Sequence, residues 1–197
     1  MSKTVKIITL ACLVVLTGMT LEAAAVGGKN VVYRNREGQF EFAVPEGWTE
    51  IPKAEVEKAG FLCGFEDQPG ANSARSYVLV QIQRKKKPPE QDIQAYIAST
   101  PPLANITDMV QYIRDGRHLK RPEIYDRKHG IFFYIRDYKY QGKPSLSIMA
   151  KKFWVYGYVI FHFYLRHDLS EDIKDIKTII DSFKIDTSDV SGNDLGQ

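Results

Sequence analysis

Histidine and cysteine are the side chains in this sequence that could carry acid–base, nucleophilic or metal chemistry. The chain has four histidines, and His162 and His167 lie five residues apart. On one continuous strand these two side chains would face opposite ways, and they could share a metal only if the strand ended before His167. The sequence has no Cys-x-x-Cys or His-x-x-x-His spacing of the kind that binds zinc. We therefore predict neither a metal site nor a cofactor, and we interpret His162 as a hydrogen-bonded histidine of the sheet.

Cys63 is the candidate nucleophile, because a thiolate beside an apolar strand could attack a substrate if a base lay nearby. Its neighbours in 61–65 are mostly apolar, which favours a buried, unreactive thiol. Cys12 lies in an N-terminal segment that we expect to be removed, so Cys63 could form a disulfide only with another chain. The Gly-x-Ser-x-Gly motif of serine hydrolases is missing from the sequence. We predict a protein that is not an enzyme; a hydrolase would need a cleft that brings Cys63 near His118, His129 or His162.

The most visible charge feature is the basic run Arg84–Lys87 at the end of a predicted strand. It could dock an anionic partner or a lipid headgroup, or it could be a solvated strand end whose charges discourage aggregation. The net charge of the whole chain is only +3. Such a balance indicates no dedicated polyanion partner, so we expect no nucleic-acid binding, while a peripheral membrane contact stays open.

Tyrosines are abundant, with 11 in the chain. Most of them must pack in the core or on the sheet, but any that lie on a face left open by the helices would form a binding surface. We expect such a surface to bind a protein or a component of the cell envelope. Together with the basic run, the predicted binding residues are Arg84, Lys85, Lys86, Lys87, Tyr156, Tyr158 and Tyr164.

The N-terminal segment has the pattern of a signal peptide. Lys3 and Lys6 precede the apolar run Ile7–Leu16, which is too short to span a bilayer as a helix. Ala23 and Ala25 are small residues around one intervening position, so cleavage is predicted after Ala25. The alternatives are an uncleaved anchor and a lipoprotein cut before Cys12. We therefore predict a periplasmic or secreted protein with a signal peptide at 1–25, one domain at 26–186 and a flexible polar tail at 187–197.

Hydrophobic periodicity indicates how the domain is built. Alternating or continuous apolar runs predict strands, and apolar residues at a 3, 4, 7 spacing predict helices. The run at 156–166 is apolar on both faces, which places that strand in the middle of a sheet. The predicted strands are 39–44, 61–65, 77–83, 123–127, 131–140, 145–153 and 156–166. The predicted helices are 52–58, 90–99, 105–114 and a last one that begins after Asp168 or Ser170 and ends near Phe183.

Because the strands are grouped rather than alternating with helices, the sequence predicts an α+β fold. A strand buried on both faces requires cover on both sides. We therefore expect one antiparallel sheet sandwiched between helical layers.

Two segments resemble a known family. Phe40–Trp48 is an alternating strand followed by Pro-x-Gly-Trp, and Asp172–Ile185 is a helix that runs into a Ser-Phe pair and a short final strand. Both are similar to the PsbP-like α/β/α sandwich, including its DcrB-like bacterial exported branch. The resemblance implies the same fold and a non-enzymatic accessory, adaptor or binding role, and it transfers no site residue.

Three functions therefore remain open. The leading hypothesis is an exported accessory or adaptor protein that binds a protein partner or the cell envelope. The alternative is a carrier that holds a small apolar or lipid ligand between the sheet and a helical layer. A cysteine-dependent hydrolase is the third.

Overall fold

The computed structural model describes residues 31–36, 38–67, 75–85, 88–154, 157–166 and 168–185. The predicted signal peptide and polar tail lie outside the described residues. So do Lys86, Lys87 and Tyr156 of the predicted binding residues, as does His167. Within the described part of the chain, no helix is long and apolar enough to cross a bilayer.

Eleven strands and four α-helices make up the described part of the chain. The strands are β1 (Val31–Asn35), β2 (Phe40–Val44), β3 (Trp48–Glu50), β4 (Cys63–Asp67), β5 (Tyr77–Arg84), β6 (Pro102–Leu103), β7 (Glu123–Asp126), β8 (Ile131–Tyr140), β9 (Lys143–Trp154), β10 (Gly157–Leu165) and β11 (Lys184–Ile185). The helices are α1 (Lys53–Lys58), α2 (Glu90–Ser99), α3 (Met109–Arg114) and α4 (Leu169–Ser182).

The strands form two sheets. The large sheet has eight strands in the order β3-β4-β5-β10-β9-β8-β7-β6, and the small sheet has the order β1-β2-β11. All pairs are antiparallel except β6 with β7, which is parallel. The long strand β10 lies at the centre between β5 and β9, as its two apolar faces predict.

One face of the large sheet, here called the core face, carries the main hydrophobic core. Its central residue Phe161 is 1% exposed, and its ring lies 5.6 Å from that of Phe42 in the small sheet and 4.9 Å from that of Phe183 after α4. The small sheet, α3 and α4 therefore cover this face together. Such burial of large aromatic and aliphatic groups is the dominant stabilising contribution to the fold.

The opposite face, here called the outer face, is covered by α1 and α2. Val56 of α1 lies so close to Gly64 that a Cβ added there would be 2.9 Å from Val56 Cγ1. Glycine at position 64 is thus what lets α1 approach β4. Tyr96 of α2 packs on Phe132 with ring centroids 4.7 Å apart. Along the strand direction, α1 therefore contacts the middle of this face, and α2 contacts the end where β8 begins.

Helix α4 begins where the sequence indicates. The Asp168 side chain caps it by accepting hydrogen bonds from the backbone N–H groups of Ser170 and Glu171, at 2.8 and 3.3 Å. Its apolar stripe is fully buried on the core face, with Ile173 and Ile176 at most 1% exposed. A strongly amphipathic helix beside the central strand positions the chain that enters the small sheet.

The α+β class is confirmed, and helices cover both faces of the large sheet. The antiparallel sheet between helical layers is confirmed, with two additions: β6 pairs in parallel with β7, and β2 lies in a second, small sheet. The strand predicted at 61–65 lies two residues later, at Cys63–Asp67, and the predicted helix at 105–114 opens as a 3-10 turn at Ile106–Asp108. Strand β1 was missed because its alternation of apolar and polar residues is weak, and its pairing with β2 cannot be seen in the sequence.

Candidate functional site

Four tyrosines gather on the outer face, at the end of the sheet where β8 turns into β9 at Gln141 and Gly142. We call this end the hairpin end and these residues the tyrosine cluster: Tyr77, Tyr138, Tyr140 and Tyr164. The rings of Tyr77 and Tyr164 stack with centroids 4.5 Å apart, and Tyr138 meets Tyr164 edge-on at 5.9 Å. All four side chains are half-buried.

Strand register explains how these rings meet. Tyr164 on β10 faces Tyr77 on β5, and on its other side it faces Ser147 on β9. Tyr138 on β8 faces Ser145 on the same strand β9. Since the two serines are small, the rings of Tyr138 and Tyr164 reach each other across β9. The cluster therefore depends on small residues in β9, which lies between two strands that carry tyrosines.

Arg166 completes the cluster with a cation. Its guanidinium carbon lies 3.4 Å from the ring centroid of Tyr140 and 5.1 Å from that of Tyr77, which is cation–π geometry. Burial alone would lower the pKa of Arg166, but the neighbouring hydroxyls of Tyr138 and Tyr140 raise it overall. The pKa of Tyr77 is raised by burial, against the opposing effect of Arg166. The cluster is thus a neutral aromatic surface that holds one permanent positive charge.

The predicted binding residues are divided between two ends of the sheet. Tyr164 belongs to the tyrosine cluster, whereas Tyr158 lies six residues back along β10, a separation of about 20 Å. Tyr158 is only 9% exposed, and the Lys151 ammonium lies 4.1 Å from its ring centroid. Arg84 pairs with Gly157 at this same end, and both it and Lys85 are exposed. The structure therefore does not unite Arg84 and Lys85 with the tyrosine cluster.

Two histidines pair with carboxylates near the ends of strands. His129 Nδ1 lies 2.5 Å from Asp126 Oδ2, and its Nε2 lies 2.9 Å from Asp181 Oδ1. Nε2 of the buried His118 lies 3.1 Å from Asp137 Oδ1. Among the described residues, no group of three His, Cys, Asp or Glu side chains could hold a metal ion. These pairs therefore fix the positions of turns rather than gather into one site.

His162 lies on the outer face, packed edge-on against Phe61 with ring centroids 5.3 Å apart. Its Nε2 is buried and has no hydrogen-bond partner in the described part of the chain, which differs from the predicted hydrogen-bonded histidine. Its cross-strand neighbours Leu79 and Met149 offer no strong acceptor. Burial lowers the pKa of His162, so the ring is held neutral.

Cys63 is free and buried on the core face, with 2% exposure. Burial raises the pKa of its thiol to about 12, against the lowering effect of a hydrogen bond with Tyr33. His162 lies on the other face of the sheet, and His118 and His129 are held by carboxylates. In the described residues nothing activates the thiol, which is what a hydrolase would require.

A groove opens on the core side of the hairpin end, between the sheet and the helical layer. Its volume is about 280 Å³. Its walls come from α3, α4 and the ends of β8, β9 and β10. The lining residues are Ile113, Asp137, Pro144, Ser145, Leu146, Leu165, Arg166, Leu169 and Asp172.

Sequence reasoning named Tyr164 but missed its partners Tyr77 and Arg166, because strand pairing alone brings them together. A usable signal was present: Tyr138, Tyr140, Tyr164 and Arg166 all occupy even positions near the ends of their strands, so each pair shares a face. The contacts of His129 with Asp126 and Asp181 were also missed. The i,i+3 spacing of Asp126 and His129 just before Gly130 could have suggested a turn bond.

Comparisons with known proteins place this chain by fold. No protein-family model matches it, and no curated protein matches its sequence. It is similar to a crystal structure from Bacteroides thetaiotaomicron VPI-5482, with a TM-score of 0.51 and 10% identity, over 82% of this chain and 50% of that one. It is also similar to the solution structure of a cyanobacterial PsbP from Synechocystis sp. PCC 6803, with a TM-score of 0.44 and 14% identity, over 85% and 98% of the two chains.

The chain thus spans half the length of the Bacteroides structure, and at 10% identity that likeness shows the fold alone. The second structure is a PsbP, the family that the sequence resembles. At its TM-score this likeness supports no inference about activity, partners or ligands. The function must therefore be argued from the residues of this chain.

Proposed function

We propose that this chain is an exported, non-enzymatic accessory protein that binds a protein partner through the tyrosine cluster and Arg166. Export is argued from the signal-peptide pattern at 1–25, which supports a location in the periplasm or outside the cell. Contact with the cell envelope through the exposed Arg84 and Lys85 would be a second, separate docking point.

The observation that carries the proposal is the composition and geometry of the hairpin end of the outer face. Tyrosine and arginine are the residues that concentrate binding free energy at protein interfaces, because they combine large apolar area with hydrogen-bonding groups. Here four tyrosines and one arginine are already packed against one another, with Arg166 3.4 Å above Tyr140. Preorganised side chains lose little conformational entropy when a partner covers them.

The contacts that α1 and α2 make with the sheet do not include the tyrosine cluster. Val56 of α1 contacts Gly64, and Tyr96 of α2 contacts Phe132, both nearer to the start of β8 than the tyrosine cluster is. The cluster therefore lies on the part of the outer face beyond these helix contacts. This position supports a role in binding rather than in joining the sheet to its helices.

The test is affinity capture of the tagged protein from the envelope fraction, with reversible crosslinking and mass spectrometry. The informative variant is the pair Tyr140→Ser and Tyr164→Ser. Its matched control is Tyr96→Ser on α2, where the tyrosine is 38% exposed. The proposal expects one partner, captured by the wild type and by the control and reduced at least about tenfold by the double variant.

The contrary results are equally distinct. Equal capture by all three proteins would place the interface elsewhere. Loss of capture only after charge reversal, Arg84→Glu with Lys85→Glu, would favour the envelope contact at the opposite end. Circular dichroism of each variant must match the wild type, so that loss of capture reports binding and not unfolding.

A further inference from the structure

The outer face at the hairpin end carries positive charge beside the tyrosine cluster. We propose that the partner that covers this cluster does so with an acidic segment, a stretch of protein with several exposed carboxylates. The cations that would meet it, here called the basic border, are Arg136, Lys143 and Arg166. This inference rests on the proposed function, because it names the chemistry of the partner at the same surface.

Strand register places two cations beside the tyrosine cluster. Arg136 on β8 faces Ser147 on β9, and Ser147 faces Tyr164 on β10. Arg136 and Tyr164 therefore stand in one row on the outer face, two strands or about 10 Å apart, with a small side chain between them. Lys143 on β9 faces Tyr140 on β8, and directly opposed side chains of an antiparallel pair lie on the same face of the sheet.

The charge of the basic border is not compensated within the protein. Arg136 and Lys143 are exposed. In the described part of the chain, no carboxylate forms an ion pair with either of them or with Arg166. Three like charges on one surface repel one another, so an acidic partner that covers them relieves this repulsion.

The acidic side chains of the adjoining strand positions are already engaged. Glu66, at the β4 end of the row that contains Tyr164, forms an ion pair with Arg75. Asp137 follows Arg136 in sequence and points to the opposite face of the sheet, where one of its carboxylate oxygens lies 3.1 Å from His118 Nε2. The outer face at this end is therefore basic, although the net charge of the whole chain is only +3.

An anionic membrane is the other surface that a basic, aromatic face could meet. Peripheral membrane binding also requires large apolar side chains that enter the headgroup boundary. In the described residues, the exposed large hydrophobic side chains are Val31, Tyr96 and Leu119, and none of them lies on the strands that carry the tyrosine cluster. Half-buried rings with charged residues at their edge fit a protein interface, which has an aromatic centre and a polar rim.

The experiment is affinity capture from the envelope fraction with single charge reversals. Arg136→Glu should reduce capture of the partner about tenfold, because it places like charges opposite one another. The matched control is Lys139→Glu, which changes the net charge equally at an exposed position of the same strand but on the opposite face of the sheet. It should capture as much partner as the wild type does. Both variants must give the circular dichroism spectrum of the wild type.

A zero-length crosslinker identifies the chemical group on the partner. A carbodiimide joins a carboxylate to the Lys143 amine as an amide, so mass spectrometry should find Lys143 linked to an Asp or Glu of the captured protein. Lys143→Arg keeps the charge and removes the amine, so it should keep capture and lose this crosslink. Vesicles of phosphatidylglycerol and phosphatidylcholine in equal parts serve as the membrane probe, and we expect no binding that depends on Arg136.

The outcomes separate this inference from the proposed function. Capture that is lost in the variant with Tyr140→Ser and Tyr164→Ser but kept in Arg136→Glu would overturn the acidic segment and leave the protein interface in place. Equal loss in Arg136→Glu and Lys139→Glu would report net charge alone and would overturn it too. Vesicle binding that Arg136→Glu abolishes would assign the surface to a membrane. If no partner is captured at all, the proposed function fails and this inference fails with it.

Discussion

His129 is predicted to hold the turn between β7 and β8 to the C-terminal end of α4. Removing its side chain should lower the free energy of unfolding far more than removing the side chain of its partly exposed partner Asp181. The ring lies between Asp126, which is 1% exposed, and Asp181, whose side chain is 30% exposed. Asp126 also accepts a hydrogen bond from the backbone N–H of Lys128 at 2.9 Å. The two carboxylates therefore differ in how much they depend on His129.

The magnitudes follow from this difference. In His129→Ala the buried Asp126 loses its side-chain partner and keeps the backbone bond, so we expect a loss near the lower end of the range for a broken buried pair, ~3 kcal/mol. In Asp181→Ala the group removed is partly exposed and its partners Lys128 and Lys177 can return to water. That variant should lose ~1 kcal/mol or less.

The assay is equilibrium unfolding in urea, followed by tryptophan fluorescence. With a slope of ~2 kcal/mol per molar urea, His129→Ala should lower the midpoint by ~1.5 M and Asp181→Ala by ~0.5 M or less. Glu41→Gln serves as the surface control, because Glu41 pairs with the exposed Arg34 and Lys184. Equal losses for His129→Ala and Asp181→Ala, or a His129→Ala loss as small as that of the control, would refute the reasoning.

Two further predictions concern single residues. Burial raises the pKa of the Cys63 thiol from about 9 in the unfolded chain to about 12 in the folded protein. Between these pH values the thiol ionises only in the unfolded state, so the stability present below pH 9 should fall as the pH rises towards 12. In urea titrations at alkaline pH, Cys63→Val should reduce that fall. If the free energy of unfolding falls equally steeply with pH in the wild type and in Cys63→Val, that result would contradict the burial of the thiol. Gly157 has φ +139°, and a Cβ there would lie 2.0 Å from the Gln83 carbonyl oxygen, so Gly157→Ala should destabilise the protein much more than Gly142→Ala, which meets nothing within 4 Å. Equal melting temperatures for the two glycine variants would contradict the predicted clash at Gly157.

Much of the architecture follows from local pattern. The apolar stripe of α4, its cap at Asp168 and the two-sided burial of β10 were all readable, since each depends on residues close in sequence. The pairing of β2 with β1 and β11 was not readable, because an alternating strand carries no record of which sheet receives it. The parallel pairing of Pro102 with Tyr125 was also not readable, because a strand of 2 residues is too short to show a pattern.

The candidate site shows the same limit. Tyr164 could be named because it stands in a strand rich in aromatic residues. Its stacking on Tyr77 depends on a register between segments 87 positions apart, and Tyr138 reaches it only because Ser145 and Ser147 are small. In sequence, Arg84, Lys85 and Tyr158 looked like part of the same surface as Tyr164, but the length of β10 separates them from it.

The central claim is that the tyrosine cluster and Arg166 form a partner-binding surface. The most direct measurement is site-specific photocrosslinking in living cells, with a photoreactive phenylalanine analogue at Tyr140 and, as control, at Leu119, which is 70% exposed. The account predicts one crosslinked protein partner from position 140 and none from position 119. A partner that crosslinks from position 119 and not from position 140 would contradict it.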